Sequence, residues 1–136
     1  MSRITSRIKP EDEDASLLKF GPEFEQVSVQ QRTLTISEVK VILDTIELDK
    51  QPDNSVFKKT QDYVDTFARF PTPEVSDAVR TSLPEDQLKY YEVAQLINLC
   101  PADSEEAKAL IPSIKLDDEV LQGYLNDLAM IRKNQA

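Results

Sequence analysis

The chain has no histidine and no tryptophan, and only one cysteine and two glycines in 136 residues. Without histidine, no side chain titrates near neutrality at its ordinary pKa, so acid–base catalysis would fall to carboxylates. Gly21 and Gly123 stand alone, so no glycine-rich loop is available to cradle a phosphate. Cys100 has no second thiol to oxidise with, and one cysteine without histidine cannot assemble the usual zinc ligand sets. The longest apolar stretches, such as Val39 to Leu43, fall far short of the ~20 residues a membrane-spanning helix needs, and the first residues lack a continuous apolar signal region. These absences lead to the expectation of a soluble, intracellular chain with no disulfide, metal, cofactor or membrane segment.

What is abundant is acid. Asp and Glu number 25 against 16 Lys and Arg, a formal net charge of −9, which repels phosphate backbones; direct nucleic-acid binding is not expected. The basic pairs Lys58-Lys59 and Arg132-Lys133 read as solvated helix faces. The carboxylate groups Glu105-Glu106 and Asp117-Asp118-Glu119 fall where helix N-termini favour acids, so they read as capping charges, not as a catalytic pair. Cys100 sits at a helix end, the negative pole of the dipole, which disfavours a thiolate; it reads as a small buried hydrophobe. Phe67 and Phe70, around Ala68-Arg69, have the ingredients of a base-stacking site, but helical spacing and the following proline favour a core or interface role. Tyr90 and Tyr91 lie in a strongly apolar helix and read as packing residues. A chain of this length has the size of one domain with a single core.

Residues 1–14 carry the acidic run Glu11-Asp12-Glu13-Asp14 and few apolar groups, too few to offset ordering entropy, and are expected to form a disordered acidic leader. Leu17, Leu18, Phe20 and Phe24 around Gly21-Pro22 make a short apolar run plausible as a strand. No second strand is evident. A lone strand leaves its backbone groups unpaired, which points either to another molecule's sheet or to an extended segment lying on the chain's own helices.

Helical patterns follow. Thr35-x-x-Glu38 is a capping box with Leu34 and Val39 as its staple, and the helix it opens carries Val39, Ile42, Leu43 and Ile46 on one face. After Gln51-Pro52-Asp53-Asn54, a second helix has Val56, Thr60, Tyr63, Val64 and Phe67 in one stripe and ends by Phe70. Thr72 and Pro73 start a short third helix with Val75, Ala78 and Val79 inward. The fourth, about Glu85 to Leu99, has two apolar stripes and is expected to be central. Asp103 and Glu106 open a fifth with Ala107, Leu110 and Ile111. The sixth runs from Asp117 to about Lys133 with Leu121, Tyr124, Leu125, Leu128 and Ile131 inward. Gly123 in its interior costs about 1 kcal/mol relative to alanine, which means either close packing there or simple tolerance. The pattern is mainly α: an N-terminal extended segment and helix, then a compact helical bundle.

The ordered series FARF, YYEVAQLINLCP, EEAKALIPS and LDDEVLQGYLNDL, preceded by the acidic leader and LLKFGPEF, resembles the fourth-subunit family of eukaryotic RNA polymerase II, over nearly everything from Glu11 to Lys133. The resemblance implies a non-catalytic subunit that forms the polymerase's stalk heterodimer with the seventh subunit, a protein of a tip domain and an oligonucleotide-binding barrel, in the nucleus. It implies that the pair docks on the polymerase clamp, that RNA is contacted mainly through the partner, and that the bundle is similar to the helicase and RNase D C-terminal fold. The partner interface it implies comprises Leu17, Leu18, Phe20 and Phe24 with Val39, Ile42, Leu43 and Ile46. The expected division is therefore a leader at 1–14, a partner-binding strand and helix at 15–52, and the bundle at 53–136. Some fungal members insert a long charged loop between the first two helices, whereas this chain crosses that point in a few residues around 51–55. Two other readings stay open: a stalk subunit shared with or belonging to another nuclear polymerase, and a free-standing helical adaptor or nucleic-acid-binding module.

Overall fold

Thr35 sets the first fixed geometry of the main unit. Its backbone is extended, its Oγ1 accepts the Glu38 N–H at 3.0 Å, and its own N–H donates to Glu38 Oε1 at 2.8 Å, so both halves of the capping box are made. The computed structural model of the protein describes residues 15–18, 33–46 and 55–134. Among them are helices α1 (Ile36–Asp44), α2 (Ser55–Phe67), α3 (Pro73–Thr81), α4 (Tyr90–Leu99), α5 (Ser104–Leu110) and α6 (Asp118–Asn134). No strand occurs among the described residues. The architecture is mainly α, a helical bundle, as the periodicity indicates.

The caps follow the chemistry of the sequence. Thr72 accepts the Val75 N–H, and Pro73 occupies the first turn of α3, where a missing N–H costs nothing. Asp103 accepts the Glu106 N–H at 2.8 Å. Lys89 offers no side-chain acceptor at the start of α4, so only the return half of a capping box forms, its N–H donating to Glu92 Oε1 at 2.9 Å. Acids open α6 and Arg132 and Lys133 close it, matching the dipole at both ends.

The core gathers Phe70, Val79, Leu83, Leu88, Val93, Leu96, Ile97, Ala107, Ile111, Ile114, Leu121, Leu125 and Leu128. Helix α4 is central: Glu92, Val93, Ala94, Leu96 and Ile97 are all buried. Tyr124 and Ile131 of α6 pack against the core while partly buried.

Several elements differ from the sequence reading. Helix α1 stops at Asp44, with Thr45 as its C-cap, short of the Asp49 to which the family resemblance extends it; residues 47–49 lie outside the described residues. Helix α4 begins at Tyr90, not near Glu85. Pro84 O instead accepts the Gln87 and Leu88 N–H groups in a turn, which drops Leu88 into the core before the helix starts. Ala78 is exposed, and the side of α3 that faces inward carries Ser76, Val79 and Arg80. Leu110 is exposed, leaving Ala107 and Ile111 as the buried residues of that segment. A Cβ added at Gly123 would meet nothing within 4 Å, so close packing does not explain that glycine.

The chain divides into two compact units, Met1–Arg32 and Thr33–Ala136. In the first, Ala15–Leu17 form a single 3-10 turn and Leu18 has a φ of 60°. The strand expected from Leu17 is therefore not found at its first two residues, whose backbone turns instead. Phe20, Gly21, Pro22 and Phe24 lie outside the described residues, as do the leader at 1–14 and the break expected at 51–54. The second unit takes in α1 along with the rest of the bundle.

Candidate partner interface

Helix α1 is held in place by polar contacts that are themselves covered. Thr35 and Ser37 are buried. Ser37 Oγ accepts the Phe70 N–H at 3.0 Å, across 33 residues, and the Ile36 N–H donates to Asn98 Oδ1 at 2.9 Å. Arg80 donates through Nε and Nη2 to the two oxygens of Glu38, at 3.1 and 2.6 Å, and through Nη2 to the Thr33 carbonyl at 2.7 Å. The fork geometry of a guanidinium on a carboxylate fixes orientation as well as distance. Burial alone would push the Glu38 carboxyl upward; the Arg80 hydrogen bond, the Thr35 N–H and the Arg80 charge outweigh it, and the group sits below the ordinary carboxylate value. Lys40 braces the outside by pairing with Asp44 at 2.9 Å and with Asp65 of α2 at 3.0 Å; its hydrogen bonds to Asp44 and Asp65 outweigh desolvation and hold its pKa above the usual lysine value.

With one side anchored, α1 presents the other. Of the four residues assigned to a partner, Val39, Leu43 and Ile46 are partly covered and Ile42 is 49% exposed. In the N-terminal unit, Leu17 and Leu18 are both exposed.

Helix α2 adds a feature whose exposure the sequence did not reveal. Of its apolar stripe only Val64 is buried, while Val56 is 70%, Tyr63 55% and Phe67 54% exposed. Tyr63 and Phe67 pack one turn apart, ring centroids 4.7 Å apart with the planes tilted by 45°, a favourable contact that still leaves each side chain more than half exposed. From Val56 to Phe67 the stripe runs for about 16 Å at the helical rise. Exposed apolar groups arranged contiguously mark surfaces that another molecule covers, whereas scattered ones need no explanation. The sequence signal was present as periodicity; what it lacked was the side from which the core approaches.

Other candidate chemistry resolves into structure. Phe70 is fully buried and Phe67 is not, so the pair does not form a stacking platform. Tyr90 and Tyr91 are both partly buried. Asp117 Oδ2 accepts the Glu119 N–H, Glu106 Oε1 accepts the Ala102 N–H, and Asp118 pairs with Lys108 at 2.6 Å; these carboxylates cap helices and join α5 to α6. Glu92 is buried and accepts from Ser113 Oγ at 2.5 Å. Burial pushes the Cys100 thiol above its ordinary value despite the opposing charges of Arg69 and Arg132, so the thiolate is disfavoured. Among the described residues no cluster of three potential metal ligands occurs, and no helix is long and apolar enough to cross a membrane.

The family model described as RNA polymerase Rpb4 matches residues 33–132. The chain is similar to DNA-directed RNA polymerase II subunit rpb4 of Schizosaccharomyces pombe, 41% identical over 133 residues that cover 91% of this chain and 95% of that protein. It is similar to DNA-directed RNA polymerase II subunit 4 of Arabidopsis thaliana, 35% identical over 136 residues, 90% of this chain and 96% of the relative. The likeness to DNA-directed RNA polymerase II subunit RPB4 of Saccharomyces cerevisiae is shorter: 38% identity over 79 residues, 57% of this chain and 36% of that one.

Proposed function

The chain belongs to the RNA polymerase Rpb4 family, the fourth subunit of RNA polymerase II, and from that premise we propose that it is the non-catalytic half of a stalk heterodimer formed with the polymerase's seventh subunit. In this reading it acts in the nucleus, docks with its partner on the polymerase clamp, and supports initiation and later handling of the transcript. RNA is contacted mainly by the partner's oligonucleotide-binding barrel, consistent with a net charge of −9 on this chain. No residue of this subunit takes part in chemistry.

The observation that supports the reading is the set of exposed apolar side chains on the neighbouring helices α1 and α2, Ile42, Val56, Tyr63 and Phe67, with an aromatic pair among them. Aromatic side chains of this kind dominate the energy of protein interfaces. The division of labour follows: the inner side of α1 belongs to the bundle, and its outer side, together with the segment around Leu17 to Phe24, serves the partner. Co-expression of the full chain with the seventh subunit, followed by size-exclusion chromatography, tests it. A single equimolar peak is expected for the wild type, and Ile42→Asp, at a half-exposed position that tolerates a charge, should divide that peak. Separate elution of the wild-type chains rejects the heterodimer, and an undivided peak for both Ile42→Asp and Leu17→Asp moves the interface elsewhere.

A further inference from the structure

Helix α1 is the one α-helix among the described residues that buries no apolar side chain. Five of its nine residues are apolar, Ile36, Val39, Val41, Ile42 and Leu43, yet its one buried residue is Ser37. Each of the other helices buries at least one apolar residue, from Val64 in α2 to Leu121, Leu125 and Leu128 in α6. Apolar burial is non-directional and fixes a single orientation only where side chains interlock. In α1 directional hydrogen bonds take over that task. The Ile36 N–H is held by Asn98 and the Phe70 N–H by Ser37 Oγ, and the remaining attachment is Arg80.

From α3, the Arg80 guanidinium grips the chain on either side of the N-cap residue Thr35. It donates to both Glu38 oxygens within the first turn and to the Thr33 carbonyl before the helix begins. One rigid fork thereby fixes the rotation of α1 about its own axis and the peptide that leads into it. Stability alone does not explain the choice of residue. Arg80 is 9% exposed, and its Nη1 is buried with no hydrogen-bond partner among the described residues. Folded proteins rarely leave a buried donor unpaired, and apolar side chains of similar volume commonly stabilise as well as a buried ion pair does. What the guanidinium supplies, and an apolar side chain cannot, is a fixed geometry.

We infer that Arg80 is a positioning residue for partner binding: through Glu38 and Thr33 it holds α1 in the one orientation that offers the Ile42 side to the seventh subunit. The inference rests on the heterodimer proposed above. Arg80 is buried, so its effect on binding passes through α1 and not through a contact of its own. Without the fork α1 samples other rotations, and the apparent affinity falls by the fraction of the time that the competent orientation is occupied.

The test compares full-length variants by urea unfolding and by calorimetric titration with the purified seventh subunit. Arg80→Met combined with Glu38→Gln removes both charges together, so neither is left buried and unpaired, and glutamine keeps an acceptor for the Thr35 N–H. The unfolding midpoint of this double variant should stay close to that of the wild type. Its affinity should fall about tenfold, the loss expected when the competent orientation is occupied about a tenth of the time. Arg80→Lys, which keeps the charge and loses the fork, should weaken binding by a smaller factor. Amide exchange should quicken in α1 of both variants and hold in α4 and α6. A purely stabilising role predicts the opposite split, a lower midpoint with unchanged affinity, and that result overturns the proposal, as does wild-type affinity in the folded variants. If the double variant does not fold, Arg80→Lys decides alone, wild-type affinity again overturning the proposal. Failure of the wild-type chain to bind the seventh subunit rejects the heterodimer itself.

Discussion

Helices α2 and α6 are both amphipathic, with apolar residues at spacings of three and four, yet their fates differ. In α6, Leu121, Leu125 and Leu128 are all buried; in α2, Val56, Tyr63 and Phe67 are each more than half exposed. Periodicity says that a helix has an apolar face and leaves open whether the same chain or another molecule covers it. The difference lies in tertiary context. Helix α6 packs against α5 and α3, which bury its stripe, whereas α2 has α1 on one side and leaves its aromatic pair uncovered. A stripe that builds the core and one that stays exposed look alike in sequence.

The largest expected effect breaks that likeness. Leu125→Asp places an unpaired carboxylate at a position that is 2% exposed, at a cost of several kcal/mol, a large share of a typical domain's stability. The bundle should lose its cooperative thermal transition. Phe67→Asp, the same chemistry on the other stripe, should keep it. Equal thermal transitions for Leu125→Asp and the wild type would mean that this face of α6 is not core.

The second comparison concerns how α1 is attached. Glu38→Gln weakens its charge-assisted bonds to Arg80, which should lower stability near neutrality by roughly 1–3 kcal/mol. The folded-state pKa of Glu38 is depressed, so the stability it contributes is present above the unfolded-state pKa and is lost as pH falls through the folded one. The gap between variant and wild type should therefore close on acidification. Urea titrations at neutral and acid pH measure it, and a gap that persists in acid assigns the loss to packing, not charge.

The smallest effect is a gain. Gly123 lies within α6 with nothing within 4 Å of an added Cβ, so Gly123→Ala should stabilise by up to about 1 kcal/mol. A lower thermal midpoint would mean that the surface at Gly123 is crowded.

Much of the bundle was legible because its signals are local. Thr35 with Glu38, Thr72 with Pro73 and Asp103 with Glu106 mark helix starts through contacts within one turn, and each was found where expected. What was hidden depends on distant partners. Nothing around Arg80 announces a buried cation, because Glu38 lies 42 residues away. Ser37 reads as an ordinary polar residue until its hydroxyl is needed by the Phe70 N–H. The turn before α4 was misjudged because Pro84-Glu85-Asp86 has the composition of a helix start; burial of Leu88 is satisfied by a turn instead. At the candidate interface, Ile42 is exposed while Val39, Leu43 and Ile46 are partly covered, a difference their shared periodicity does not show. The exposure of Tyr63 and Phe67 was not readable, since their spacing suits a core equally well.

The central claim is that the outward face of α1 and α2 contributes to binding and little to folding. The direct measurement is Tyr63→Ser with Phe67→Ser in one chain, comparing its urea unfolding free energy and its affinity for the seventh subunit with those of the wild type. The account predicts unfolding within about 1 kcal/mol of the wild type, the scale of exposed substitutions, and an affinity at least about tenfold weaker, the scale of losing interface aromatics. A large loss of stability with unchanged affinity would contradict it.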